Sequence, residues 1–194
     1  MINYSKDIPY HSQRNNMVIP YAACNTTSIV MALKQAGHDC NFGEGQPEDI
    51  LTTLLLTQKY WSMMDRENSK FRNQGYRPNE IHSCLCAATN DLVGKSVDVF
   101  NTNVSVLRIK NHLTAGGGVV LSGKFHLSNG ETLNHIISLA GYGDDGFLID
   151  DPYGDFRTDY KDHHGNDIFI TNDEFMTIFK GGETYKWAHL VSKK

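Results

Sequence analysis

The feature that most constrains this chain is a helical stripe entered through a cysteine. In DIPYHSQRNNMVIPYAACNTTSIVMALKQAG, from Asp7 to Gly37, the apolar residues Ile29, Ala32, Leu33 and Ala36 recur at i, i+3, i+4 and i+7. That spacing belongs to a helix with one buried face, and Gly37 stands where a helix stop is expected. The small polar run Asn25, Thr26, Thr27, Ser28 then forms the first turn, with Cys24 at its mouth. Unsatisfied N–H groups and the positive end of the helix dipole surround a sulfur so placed and favour thiolate over thiol. A cysteine near a helix start is more often a small core residue, so position alone nominates Cys24 without electing it.

A chain of 194 residues, 40% hydrophobic, can build one core, and we expect a single domain over 1–194. The net charge of −4 and the lack of a basic run exclude a dedicated nucleic-acid binder, whose affinity rests on neutralising phosphates. Lys180, Lys186, Lys193 and Lys194 make the C-terminal end mildly basic, which reads as a solvated edge. The opening MINYSKDIPYHSQ has no apolar h-region, and no stretch approaches the ~20 apolar residues of a membrane span. The expectation is cytoplasmic synthesis without a signal peptide. Of Cys24, Cys40, Cys84 and Cys86, the last three read as buried thiols; Cys84-x-Cys86 lacks zinc-ligand spacing.

Further along, Pro47 opens a second helix with Ile50, Leu54 and Leu55 inward. The stretch from Lys59 to Pro78 interleaves Tyr60, Trp61, Met63, Met64 and Phe71 with charge, as core or as a lid over a groove. Pro78 opens a third helix with Ile81, Cys84, Leu85, Ala88 and Leu92 on one face. Val97 and Val99 read as a short strand. A fourth helix from about Ser105 carries Ile109 and Leu113 and stops at Gly116-Gly117-Gly118, which no Lys-Ser/Thr follows as a phosphate loop would require. From Val119 the period turns to β: VVLSGKF leads to the hairpin signal Asn129-Gly130, then HIISLAGY and GFLID flank Asp144-Asp145-Gly146. Thr171 and Glu174 form a capping box for a last helix, and Lys186 to Ser192 supplies a closing strand. Helices first and an antiparallel sheet afterwards is an α+β layout.

A thiol nucleophile needs a base, a group that orients the base, and donors for an oxyanion. Nine histidines compete for the first role. His135 leads because it begins a strand of Ile, Ile, Leu and Ala, where a polar ring needs a partner. His126 falls near a hairpin tip, and His163-His164 in a polar loop. The orienting acid is Asp150 or Asp151. Neighbours on a strand face opposite ways, so a two-residue hairpin loop puts Asp150 on the face of His135, and a three-residue loop puts Asp151 there.

IPYHSQ, a loop and CNTTSIVMAL, together with HIISLAGYG and the Asp-Pro strand GFLIDDPYG, resemble the C39-like peptidases, a papain-like cysteine peptidase family. The resemblance covers both ends of the chain and leaves residues 42–104 unmatched. It implies a papain-like fold, Cys24 as nucleophile, His135 as base, Asp151 as the acid directly before Pro, and Gln13 as an oxyanion donor, with no cofactor and no metal. Family members that cut leader peptides after a double glycine are fused to membrane transporters, and no such segment occurs here. The expected substrate is therefore the stem peptide of peptidoglycan, cut by a monomeric, endolysin-like cell-wall hydrolase released to the wall of a host. The alternatives are a protease acting on proteins and an inactive binding module of the same fold. Two other classes have less behind them: a glycosidase needs paired carboxylates, which Glu44, Glu48, Glu67 and Glu131 do not form as a motif. A calcium module would have to use Asp155, Asp159, Asp162 and Asp167, which lack the EF-hand pattern.

Overall fold

The computed structural model describes residues 2–5, 8–60, 78–181 and 186–194. The helices are α1 (Cys24–Gln35), α2 (Pro47–Leu55), α3 (Pro78–Val93), α4 (Val106–Thr114) and α5 (Asn172–Gly181). The strands are β1 (Ile2–Ser5), β2 (Asp98–Asn101), β3 (Gly118–His126), β4 (Thr132–Gly143), β5 (Gly146–Asp150), β6 (Ile168–Thr171) and β7 (Ala188–Val191). They form one antiparallel sheet in the order β2-β7-β3-β4-β5-β6, with β1 added beside β4. This is the expected α+β architecture. Strands β1 and β6 were not anticipated: each is four residues long, and β6 alternates buried and exposed positions over too short a run to stand out.

The sheet is covered on both faces. Val119, Leu121, Ile137, Leu139 and Phe147 join Ile109 of α4 and Phe175 of α5 in one cluster, while Val120, Ile136 and Val191 join α1, α2 and α3 in another. Burial on both faces explains why β3 and β4 read as near-continuous apolar runs. Helix α1 ends in a Schellman motif: Gly37 takes φ 85°, its N–H donates to Lys34 O at 3.0 Å, and His38 N–H donates to Leu33 O at 2.9 Å.

Three local expectations need correcting. The inward face of α2 is Glu48, Leu51, Thr52 and Leu55, with Ile50 and Leu54 only half-buried. Polar residues displace apolar ones there because they are hydrogen-bonded: Thr52 Oγ1 meets Thr26 Oγ1 at 2.8 Å and Glu48 Oε2 accepts from His11 Nδ1 at 3.0 Å. In β2 the buried residues include Asp98, whereas Val99 is half-exposed, because Asp98 accepts from His189 Nδ1 at 2.7 Å. Cys86 is half-buried rather than buried, and its thiol donates to Asp98 O at 3.1 Å. Tyr60 is core; Trp61, Met63, Met64 and Phe71, expected as core or lid, lie outside the described residues.

Helix α1 lies against the sheet at backbone distance. A Cβ on Gly118 would stand 2.1 Å from Ala32 O, so only glycine lets the helix settle there. Gly118→Ala should therefore lower stability by about 1–3 kcal/mol through overpacking, read as a reduced urea midpoint with an unchanged m-value.

Candidate active site

Helix α1 and strand β4 run in the same direction, side by side. Ser28 Oγ donates to Ile136 O and Gln35 Nε2 donates to Ala140 O, each at 3.2 Å. From Cys24 to Gln35 the helix rises about 16 Å, and from His135 to Ala140 the strand covers about the same length. Matched lengths bring the head of the helix to the head of the buried part of the strand. Cys24 and His135 meet there, close enough for the sulfur to help raise the pKa of the imidazole.

The other side of the imidazole is held by Asp151, whose Oδ1 accepts from His135 Nε2 at 2.6 Å. That leaves Nδ1 as the nitrogen to share with the sulfur. The loop between β4 and β5 is the two residues Asp144-Asp145, which by parity alone selects Asp150. A bulge reverses the outcome. Near the turn Tyr142 pairs with Phe147 and Gly141 with Leu148, but past Ala140 the pairs are Leu139 with Ile149 and Ser138 with Asp150. One extra residue shifts the register by one and turns each following side chain to the other face. Continued, this register sets Asp151 opposite Ile137, on the face shared with His135. Asp150 is buried instead against the next loop, its Oδ1 accepting from Asp167 N–H at 2.9 Å.

Asp151 is fully buried and accepts two more hydrogen bonds, from Tyr153 N–H to Oδ1 at 2.9 Å and from the Tyr160 hydroxyl to Oδ2 at 3.3 Å. Tyr10 donates its hydroxyl to Asp151 O at 2.7 Å. Arg14 stacks 3.7 Å over the Tyr153 ring and donates to Tyr153 O at 2.7 Å and Tyr160 O at 3.3 Å. Rings of Phe125, Tyr153 and Tyr160 stand edge-on around His135. None of Tyr10, Arg14, Tyr153 and Tyr160 was nominated from sequence. The chain separates Tyr160 from Asp151 by a loop whose path no periodicity encodes.

Burial alone would pull the His135 pKa down, but the charge and hydrogen bond of Asp151, with Cys24 adding to both, raise it from 6.5 to about 10. Burial and the Asp151 charge push the Tyr160 hydroxyl well above its ordinary range, which keeps it a donor.

Gln13 is buried at 2% exposure, its backbone N–H on Pro152 O at 2.8 Å and its Nε2 on Pro20 O at 2.9 Å. It thus ties the Asp-Pro turn to the segment that enters α1. The residue capping α1 is Ala23, which offers no side-chain hydrogen bond. A Ser, Thr, Asp or Asn there would accept from the first amides; the side-chain acceptor in this turn is instead Asn25, whose Oδ1 takes Thr26 N–H at 2.7 Å.

The remaining candidates lie elsewhere. His126, His163 and His164 are exposed. Glu44 and Glu131 are exposed, Glu48 is buried on His11, and Glu67 lies outside the described residues. Asp155 caps a 3-10 turn, Asp159 accepts from Ser128 N–H at 2.7 Å, and Asp162 accepts from His164 N–H at 2.9 Å. Among the described residues no cluster of His, Cys, Asp and Glu is arranged to hold a metal ion, and no helix is long and apolar enough to cross a membrane.

Comparison with known proteins follows the same lines. The model of the Peptidase_C39 like family matches residues 5–174. A Bacillus anthracis protein described as a C39-like peptidase superposes with a TM-score of 0.62 over 97% of this chain and 96% of its own, at 16% sequence identity, which identifies a shared fold. The Pseudomonas avirulence protein AvrPphB aligns over 95% of each chain at 13% identity with a TM-score of 0.35, too low for inference. No curated protein matches the sequence.

The raised His135 pKa links protonation to folding. The folded protein keeps a proton that the unfolded chain releases above pH 6.5, so the stabilisation is complete below 6.5 and is lost as pH rises through about 10. The difference in unfolding free energy between the protein and His135→Gln should accordingly narrow over that interval in urea titrations. A gap independent of pH would mean that the ring is neutral when folded.

Proposed function

The chain belongs to the Peptidase_C39 like family, and from that premise we propose that it is a cysteine peptidase acting through Cys24, His135 and Asp151. One observation carries the reading: a half-exposed thiol on the first turn of a helix lies beside an imidazole that a buried carboxylate holds from behind. A buried carboxylate–imidazole pair alone would also suit an inactive module of the same fold; the half-exposed thiol beside this one is what favours catalysis.

In the proposed mechanism the Cys24 proton rests on His135 Nδ1. The thiolate attacks a peptide carbonyl carbon, and the new oxyanion is met by the Cys24 backbone N–H at the head of α1. Gln13 has two amide protons. One is given to Pro20 O, and the second is the side-chain donor to the oxyanion. The imidazolium passes its proton to the leaving amine as the C–N bond breaks, leaving an acyl thioester. Neutral His135 then takes a proton from water, whose oxygen attacks the thioester carbonyl. The acid departs and the thiolate–imidazolium pair is restored. Asp151 takes no proton in these transfers; it fixes the ring and stabilises its charge.

Two peptide classes meet this chemistry: the stem peptides of peptidoglycan, as in an endolysin-like hydrolase, and ordinary polypeptide. Purified protein incubated with peptidoglycan should release free amines without new reducing ends if the first is the substrate; casein fragments report the second. New reducing ends without amines would mark a glycosidase and overturn the reading.

Iodoacetamide should abolish turnover by alkylating Cys24, and Cys24→Ala should be inactive in every assay. Gln13→Ala should lose about 100- to 1,000-fold in kcat, the usual cost of one oxyanion donor. Because His135 must be protonated to release the amine, kcat should fall as pH rises through about 10. Full turnover in Cys24→Ala would remove the thiol mechanism.

A further inference from the structure

Eight large apolar side chains are exposed among the described residues, and three of them lie within five positions of one another just ahead of Cys24. Tyr21 and Met17 are the most exposed of the eight, at 88% and 83%, and Val18 accompanies them at 39%. From Asn15 to Leu33 the chain carries no charged residue; the carboxylate at this segment is Asp49 of α2, which accepts from Met17 N–H.

The exposure is enforced by the backbone. Asn16 is buried, and its Oδ1 accepts from the N–H groups of Val18 at 3.0 Å and Ile19 at 2.8 Å. Its amide donates to Thr52 Oγ1 at 3.4 Å. Met17 N–H donates to Asp49 Oδ1 at 3.0 Å, Ala22 N–H to Ile19 O at 2.9 Å, and Gln13 Nε2 to Pro20 O. Six hydrogen bonds, four within the segment and two to α2, hold its backbone, while Met17, Val18 and Tyr21 face outward. Its first end, Gln13, is fastened to the Asp151-Pro152 turn, and its last end is the thiol. Tyr21 is three residues from Cys24, within about 11 Å along the chain. The patch is therefore continuous with the site, and a fixed apolar surface at such a place has a use other than core packing.

Resting on the peptidase reading, we propose that Met17, Val18 and Tyr21 form a substrate-selecting rim that takes a large apolar or aromatic side chain flanking the scissile bond. The substrate is then a polypeptide rather than a cell-wall stem peptide, whose residues are small or carry carboxylates and ammonium groups. The apolar side chains of such a rim would desolvate those groups without pairing them, and the nearby Asp49 carboxylate is already bonded to Met17 N–H and Gln46.

The test compares the protein with the Met17→Ser/Tyr21→Ser double variant on two substrates: a tryptic peptide library from a denatured bacterial lysate, with cut sites mapped by mass spectrometry, and purified muropeptide dimers. Iodoacetamide alkylation of Cys24 and urea unfolding report that the variant's site is formed. The expected result is that peptides bearing Phe, Tyr, Leu or Met within three residues of the cut bond are cleaved with roughly 10- to 200-fold higher kcat/KM. That preference collapses in the double variant, while alkylation proceeds as before. Cleavage without such a preference, a preference that survives in the double variant, or cleavage of muropeptides alone would each overturn the rim and leave the peptidase standing. Failure to cleave either substrate, with Cys24 fully alkylated, would overturn the peptidase and the rim together. Should the double variant fail to fold, Tyr21→Ser alone is read by the same outcomes.

Discussion

A charged pair taken out of water governs the organisation of this molecule around Asp151. Neither the imidazole of His135 nor the carboxylate is accessible enough for solvent to satisfy it, and each ion costs several kcal/mol to desolvate before their attraction offsets the loss. The carboxylate must collect its remaining hydrogen bonds from the protein. It does so through Tyr153 N–H and the Tyr160 hydroxyl, and these demands shape the chain beyond the Asp-Pro turn. Asp159 and Tyr160 both adopt left-handed backbone, at φ 53° and 59°, a conformation that costs non-glycine residues of order 1–3 kcal/mol each. The turn persists because Ser128, on the connection between β3 and β4, holds Asp159 through its backbone N–H and its hydroxyl. Gly165 is required nearby for closeness, since a Cβ there would stand 2.1 Å from Asp151 O. Strain, a clamp and a glycine thus all serve one carboxylate.

The thiol side is built on different physics. Cys24 is half-buried on the first turn of a helix that lacks a capping side chain. Beneath that turn runs a polar chain: Thr26 meets Thr52 at 2.8 Å, Thr52 donates to Glu48 O at 2.6 Å, and Glu48 accepts from His11, which in turn accepts from Lys34. The network joins α1 to α2 and holds Asn16, the residue that pins the entry segment. Polar contacts fix direction as well as distance, so the first turn of α1 is held in orientation as well as in position. An apolar contact at Thr26 and Thr52 would bury as much area without that control.

Much of this was legible in the residues, and the exceptions have a common cause. Helix α1, its glycine stop, the Pro-started α2 and α3, the capping box of Thr171 with Glu174, and the β3–β4 hairpin all follow from local rules, and all appear at the expected places. What escaped depends on partners distant in the chain. Glu48 and Thr52 displace Ile50 from the buried face of α2 only because His11, Thr26 and Asn16 are there to bond them. The choice between Asp150 and Asp151 turned on Ala140, an alanine in an apolar strand with no feature to announce a bulge. The resemblance to a family selected Asp151 where periodicity left both open. One signal was present and overlooked: an alanine stands directly before the cysteine, where a capping side chain is the rule.

The fold contains a second buried aspartate–histidine pair, and the two differ in what surrounds them. His189 Nδ1 donates to Asp98 Oδ2 at 2.7 Å, and its Nε2 lies 3.0 Å from His82 Nδ1. A buried aspartate–histidine pair is therefore present twice. Around the second pair, however, Trp187 and Phe100 pack against His82, at centroid distances of 3.9 and 5.4 Å, and burial drives the His82 pKa well below its ordinary value. The nearby thiol of Cys86 is turned to a backbone carbonyl, and burial and the Asp98 charge raise its pKa to about 11. It sits in mid-helix, where the backbone amides are already spent on the helix itself. At Cys24 the same kind of carboxylate and imidazole face a sulfur that opens a helix and reaches solvent. Perturbed protonation arises at both places, so it does not by itself mark function. The difference is geometric: the thiol beside His135 opens a helix and reaches solvent, whereas the thiol beside Asp98 lies in mid-helix and is turned to a backbone carbonyl.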